Sequence, residues 1–293
     1  MTTQSPFRHY ARVVQHFAST RALEVLALQA SPILGIVLGG YSLERFGVIR
    51  PGLLIVGSLA LTAHVFVFND WAGHGSDIRD PRRATSVFTR QGISVRQVAR
   101  IAIALLIFAN VAFAIVGGTA VLLGAAIATL SLLYSWSPRF GKSTPIMASL
   151  NHLFGGALHF MLGYTLTRGL DASGLVISLF FGLVFAGGHL NQEVRDYEGD
   201  LLSGVQTSAV VFGCRRAFLA SLYTFTAAYI TLAGLAALGI LPRLLLWSAL
   251  VWPLHVAWSL RALRRGLGFD TAVWMQRRYR LLFAFIGLAM LVR

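Results

Sequence analysis

Seven of the eleven acidic residues stand in two short stretches, each following directly on a long apolar run. The first runs from Asn69 and Asp70 through Asp77 to Asp80. The second begins at His189, holds Glu193, Asp196, Glu198 and Asp200, and continues to Gly204 and Thr207. Carboxylates beside hydrocarbon are costly unless they are paired or bind a cation, so these clusters point to a metal site at the mouth of a membrane cavity. On a helix, Asp196 and Asp200 project from one face, with Glu193 close to it. Asp77 follows Asp70 by about two turns, again on one face if that segment is helical. Oxygen ligands from two such faces suit Mg²⁺, which takes one or two carboxylates and fills its shell with water and substrate phosphate. Arg83, Arg139, Lys142 and Arg195 offer donors for phosphate oxygens. Together with an adjoining apolar cavity, these groups describe a site for a lipid diphosphate, from which Mg²⁺ would draw pyrophosphate as a leaving group. The competing reading is that the acids pair with the loop arginines as solvated charge. It accounts for one acidic stretch better than for two matching ones.

The rest of the chain must hold the two stretches together. Of 293 residues, 56% are hydrophobic and 12% charged, whereas a soluble domain carries about 25% charged residues. Apolar runs of roughly 18–22 residues, each enough for a bilayer of ~30 Å, recur along the whole length. We therefore expect an all-α, multi-pass integral membrane protein: a single domain over residues 1–293, with nine transmembrane helices around a central cavity. The spans are expected at about 22–43, 51–68, 98–116, 119–135, 146–166, 174–191, 216–237 and 242–260, with a short last one ending near 292. A polar N-terminal arm precedes them, and a basic loop, Arg261 to Arg280, precedes the last. No removable signal peptide is expected. Cys214 is the only cysteine, which excludes an intrachain disulfide and a cysteine-based metal site.

The net charge of +14 comes almost wholly from arginine, Lys142 being the only lysine. No nucleic-acid-binding motif accompanies it, so the excess reads as the mark of cytoplasmic loops. The N-terminal arm and the loops after spans two, four, six and eight carry most of it. Arg45, Arg50, Arg168, Arg243 and Arg293 fall on the other side. The N-terminus and both acidic loops are thus expected at the cytoplasmic face of the membrane (in a bacterium, the inner membrane), where the two loops can converge.

Over nearly its whole length the sequence resembles the UbiA superfamily of intramembrane prenyltransferases. The family's second motif, Asp-x-x-x-Asp, is matched by Asp196-Tyr-Glu-Gly-Asp200, with the frequent extension to Gly204 and Thr207. Preceded by Arg195, it is most similar to the chlorophyll synthase, homogentisate and archaeal ether-lipid branches. The first motif, Asn-Asp-x-x-Asp-x-x-x-Asp, matches at Asn69, Asp70 and Asp77, but Gly73 replaces its middle Asp. Tyr134-Ser135-x-x-Pro138 with Lys142 resembles the loop after the fourth helix. The Lys-Arg-containing loop of the 4-hydroxybenzoate polyprenyltransferases is absent, which argues against a ubiquinone-pathway enzyme.

The resemblance implies a Mg²⁺-dependent enzyme that transfers an isoprenyl group from a prenyl diphosphate to a hydrophobic or aromatic acceptor and releases pyrophosphate. Asn69, Asp70, Asp77, Asp196 and Asp200 would bind the metals, the four aspartates being catalytic. Arg83, Arg139, Lys142 and Arg195 would hold the diphosphate. Gly73 removes one expected ligand. The alternative on the same scaffold is a membrane terpene cyclase that needs no acceptor; an ion-coupled transporter is a third reading, of another class. Tyr134 offers a ring face to an allylic cation. Asn151 is expected to line the pocket, and Asn191 to present its amide at the cavity mouth. His152 and His159, two turns apart, are more readily explained as helix-to-helix hydrogen bonds. Glu24 either orients an acceptor or pairs with Arg21.

Overall fold

Proline has no N–H to donate to the residue four before it. Pro32 accordingly leaves Leu28 without its helical bond and divides the first apolar run. Helix α1 (Pro6–Leu28) ends there, α2 (Ala30–Leu38) begins, and Gln29 in the break donates its amide to Val25 O at 2.9 Å and Thr62 Oγ1 at 3.0 Å. The expected polar arm is thus helical from Pro6 onward. The computed structural model describes residues 6–137 and 139–292, so Pro138 and Arg293 lie outside the described residues, as do the first five.

The short α3 (Leu43–Phe46) leads to α4 (Ile49–Asp77), followed by α5 (Val95–Val116), α6 (Gly118–Trp136), α7 (Met147–Tyr164) and α8 (Ala172–Ser203). After the short α9 (Ser208–Phe212) come α10 (Cys214–Ala237), α11 (Ser248–Arg265) and α12 (Phe269–Ala289). There is no strand among the described residues. Six segments are long and apolar enough to cross a membrane: α1–α2 from Tyr10, α4, α5, α6, α8 and α10. The other three expected spans are occupied by α7, α11 and α12, of 18, 18 and 21 residues. Three segments expected from composition to be loops are wholly or partly helical. The acidic stretches continue α4 and α8, and most of the basic segment 261–280 belongs to α11 and α12, leaving only Gly266–Gly268 between them. Charge interrupts the apolar pattern without breaking a helix, since Arg and Glu are good helix formers and a mid-helix Asp costs far less than Pro.

Helix ends follow local chemistry. Ser94 and Gln97 form a reciprocal cap at the start of α5. The Asp171 carboxylate accepts the Gly174 N–H at 2.7 Å to start α8, and Gly204, at φ 74°, ends it in the left-handed conformation. Thr207 then caps α9 by accepting from Val210 N. The extension from Gly204 to Thr207 thus has a structural role: it stops one helix and starts the next.

The largest contacts join α4 to α5, α7 to α8 and α8 to α10. Phe113, Phe160, Phe181 and Tyr229 belong to the main core, while Ile107, Ile115, Leu122, Ile230 and Leu250 point outward, as helices bathed in lipid allow. Two smaller cores sit beneath the acidic helix ends. One joins Val13, Phe17, Val67, Phe88 and Val98; the other joins Val194, Ala209, Phe218 and Met275.

Helices α2 and α7 touch backbone to backbone: a Cβ at Gly163 would run into the Pro32 carbonyl. Gly163→Val should lower thermal stability in detergent by about 1–3 kcal/mol, the usual range for overpacking. Gly155→Ala, whose added methyl meets open space inside a helix, should hold or raise the unfolding midpoint, Ala being the better helix former.

Candidate active site

The extended ends of α4 and α8 bring the two acidic stretches together at one end of the bundle. Between and below them lies a cavity of about 1790 Å³. Its mouth is lined by Asn69, Asp70, Asp77, Asp196, Asp200, Arg83, Lys142 and Arg195, and its depth by rings such as Phe180, Phe181 and Phe283.

Arg83 joins the two halves. Its NH2 lies 2.6 Å from Asp196 Oδ2, its NH1 3.3 Å from Asp77 Oδ1, and its Nε 3.5 Å from Asp80 Oδ2. Burial by itself lowers the Arg83 pKa, but the carboxylates of Asp196, Asp77 and Asp200 outweigh it and hold the guanidinium above its ordinary value. The loop that carries Arg83 is shaped by Asp80. Its carboxylate accepts the Arg82 N–H at 2.9 Å and its carbonyl accepts from Arg83 N and Ala84 N. The buried Asp80 carboxylate lies flat on Gly199 of α8, where any Cβ would collide with it. A further tie runs from Ser203 Oγ to Ser76 O at 3.0 Å.

The remaining acids differ in their pairing. Asp70 takes a two-pronged bond from Arg21, with Nε at 3.0 Å, and Arg21 also reaches Glu24 at 3.2 Å. Arg195 grips Asp196 at 2.7 and 2.8 Å and donates to Gln276 Oε1 at 3.1 Å. Asp200 forms no ion pair among the described residues, which leaves its carboxylate as the available anion at the cavity mouth. Lys142 comes in from the turn after α6, its N–H bonded to Tyr134 O at 2.8 Å and its ammonium 3.4 Å from Ser76 Oγ. Burial lowers its pKa, against the pull of Asp77.

Deeper in the wall, His152 and His189 stack at 3.9 Å. Tyr134 Oη and Ser149 Oγ lie 3.4 and 3.3 Å from the His189 nitrogens, and Glu193 lies 3.6 Å from Nδ1. His152 Nδ1 is bonded within its own helix to Ala148 O at 2.9 Å, whereas His159 Nε2 meets Ser58 Oγ of α4 at 2.8 Å, an interhelical bond as expected.

Ten of the twelve residues singled out from the sequence line the cavity; two do not. Asn191 points away from it, toward Ser221, His255 and Tyr279, with its Oδ1 buried and unpartnered. At about 100° per residue it stands roughly 100° from the middle of the stripe that Gly188, Gln192, Asp196 and Ser203 present to the cavity. Arg139 is exposed in the turn, where its backbone N–H donates to Ser137 Oγ at 3.3 Å. Asn151 does border the cavity, but its amide is already donated to Phe140 O at 2.7 Å, which pins the Lys142 loop. Asn69 Oδ1 lies 3.5 Å from Ser135 Oγ. Arg21 and Gly199 were not foreseen as site residues, and Asp80, counted in the first acidic stretch, turns out to shape the Arg83 loop. Arg21 offers a signal in retrospect, as a basic residue entering an apolar run one turn before Glu24.

No group of three or more His, Cys, Asp or Glu among the described residues is arranged to hold a metal unaided. The donor set is nevertheless all oxygen, with Asp200 unpaired and Asp196 one turn before it. That fits Mg²⁺, which binds through one or two carboxylates and completes its shell with water and phosphate oxygens.

The profile of the UbiA prenyltransferase family matches residues 33–287. No curated protein sequence matches the chain. Among solved structures, a UbiA homolog from Archaeoglobus fulgidus bound to DMAPP and Mg²⁺ superposes with a TM-score of 0.71 at 19% identity, over 94% of this chain and 98% of that one. A digeranylgeranylglyceryl phosphate synthase gives 0.69 at 15% identity, over 96% and 98%. A UbiA homolog from Aeropyrum pernix K1, in its apo form, gives 0.67 at 17%, over 90% and 96%. At these identities the likeness establishes the fold.

If the contact between Asp80 and Gly199 sets the Arg83 bridge, Gly199→Ala should push the carboxylate aside and lower thermal stability by about 1–3 kcal/mol. Tyr197→Phe on the same helix should change the midpoint by less than about 0.5 kcal/mol.

Proposed function

The chain belongs to the UbiA prenyltransferase family, and from that premise we propose that it transfers an isoprenyl group, within the membrane, from a prenyl diphosphate to an apolar or aromatic acceptor. The observation that carries this reading is the meeting of α4 and α8 at Arg83, directly above a cavity with a charged mouth and an apolar depth. A diphosphate has charge for the first and a prenyl chain for the second. Residues 1–293 act as one domain, and the nine helical segments are read as nine crossings. By the positive-inside rule, the basic residues at the segment ends support a cytoplasmic N-terminus and site.

In this reading Arg83 and Lys142 donate to the diphosphate oxygens, and Asp196 and Asp200 present carboxylates for Mg²⁺. When bound, Mg²⁺ would neutralise the departing pyrophosphate and orient it. Arg195 keeps Asp196 aimed, gripping both carboxylate oxygens while its third nitrogen is anchored on Gln276. Arg21 does the same for Asp70. The cavity wall then shields the allylic cation from water, with the ring of Tyr134 near the mouth. Whether the cation meets an external acceptor or a double bond of its own chain is set by what else fills the cavity. Family membership favours the external acceptor.

Purified protein in detergent or lipid, given geranylgeranyl diphosphate, Mg²⁺ and a membrane lipid extract, should release pyrophosphate and yield a prenylated product by mass spectrometry. Asp200→Asn should reduce release on the order of 100-fold. A cyclic hydrocarbon formed without extract would move the assignment to the cyclase, and no release from donors of any length would refute both.

A further inference from the structure

The position where the family's first motif would carry its middle carboxylate is Gly73, and the space beside it is not empty. A Cβ built on Gly73 would stand 3.0 Å from Lys142 Nζ and 3.3 Å from Asp77 Oδ2. The ammonium therefore occupies the side of α4 on which residues 73 and 77, one turn apart, would together have faced the diphosphate. Its approach is fixed at three points: Lys142 N to Tyr134 O, Lys142 Nζ to Ser76 Oγ, and Asn151 Nδ2 to Phe140 O two residues before it. The other acids on α4 are also met by protein cations, Asp77 by Arg83 and Asp70 by Arg21. A divalent ion brought to this helix would face one carboxylate already bound to Arg83, and the fixed positive charge of Lys142 at close range. On α8 Asp196 is likewise held, by Arg83 and Arg195, but Asp200, one turn on, has no ion pair among the described residues and leaves a carboxylate free for an ion.

We propose that Lys142, seated in the space that Gly73 leaves, replaces a metal ion on the α4 side, so that the diphosphate is held by a single divalent cation on the Asp196–Asp200 side. The proposal rests on the prenyl diphosphate reading and makes it more specific. The α4 half of the site becomes an all-protein cation clamp of Lys142, Arg83 and Arg21, and the α8 half remains metal-dependent. Gly73 is then not a lost ligand but the condition for an internal one, since a longer side chain there would have to displace the ammonium.

The test counts ions and needs no turnover. The full-length protein in nanodiscs is titrated with Mn²⁺ in the presence of saturating geranyl S-thiolodiphosphate, an uncleaved analogue, and free Mn²⁺ is read by electron paramagnetic resonance. The wild type should bind one Mn²⁺ per analogue. The double variant Gly73→Asp with Lys142→Met, which restores a carboxylate and removes the ammonium, should bind two. Two ions in the wild type would overturn the proposal by themselves, whether or not the variant folds. One ion in both proteins would also overturn it, since Lys142 would then not be what excludes the second. If the analogue fails to bind at any Mn²⁺ concentration, the diphosphate reading itself falls, a result distinct from either count.

Discussion

The guanidinium of Arg83 is the point on which the arrangement depends. It reaches Asp77 at the end of α4, Asp196 on α8 and Asp80 in its own loop. Without such a bridge, two helices that each end in carboxylates would repel one another at the rim of a hydrophobic bundle. Arg83 is 40% exposed, so each bond contributes toward the low end of the ~1.5–3 kcal/mol typical of charged partners. Its larger effect is geometric. It sets the distance between two carboxylate-bearing helices, and so the size of the anion that fits between them.

The packing below makes that distance reproducible. Val13, Phe17, Val67 and Phe88 support the α4 end and its loop, and Val194, Phe218 and Met275 support α8. Between the halves, Asp80 rests on Gly199 with no room for a methyl group. The polar rim thus stands on two rigid apolar supports, and the functional groups sit on helices, not on free loops. Lys142, Arg83 and Asp80 come from turns, of which the first is pinned to α7 by Asn151 and the second is closed on itself by Asp80 and tied to α8 by Arg82 and Glu198 at 2.6 Å.

Much of this was legible in the sequence. The all-helical class, the positions of the long segments and the convergence of the two acidic stretches follow from apolar periodicity and charge placement. Spacing was enough to put Asp196 and Asp200 on one face. What spacing could not give was where a helix stops once its apolar pattern ends: α4 and α8 run on through their acidic residues, where composition alone reads as loop. Nor could it show which way a single amide faces. Asn191 sits beside the motif in sequence but looks across to α10, and Arg139 lies on the outer side of a turn whose inner side delivers Lys142. The pairing of Arg21 with Asp70 spans 49 residues, a separation over which no local pattern carries information. Gly73 reads in the sequence as a missing ligand, and no local pattern shows that the Lys142 ammonium lies beside it.

The most direct test of the account is a structure of this chain with geranyl S-thiolodiphosphate and Mg²⁺. The account predicts the diphosphate between the ends of α4 and α8, in contact with Arg83 and Lys142, with Mg²⁺ joining it to Asp200 and the geranyl chain running toward Phe180 and Phe181. A diphosphate bound away from Arg83, or a prenyl chain lying outside the cavity, would contradict it.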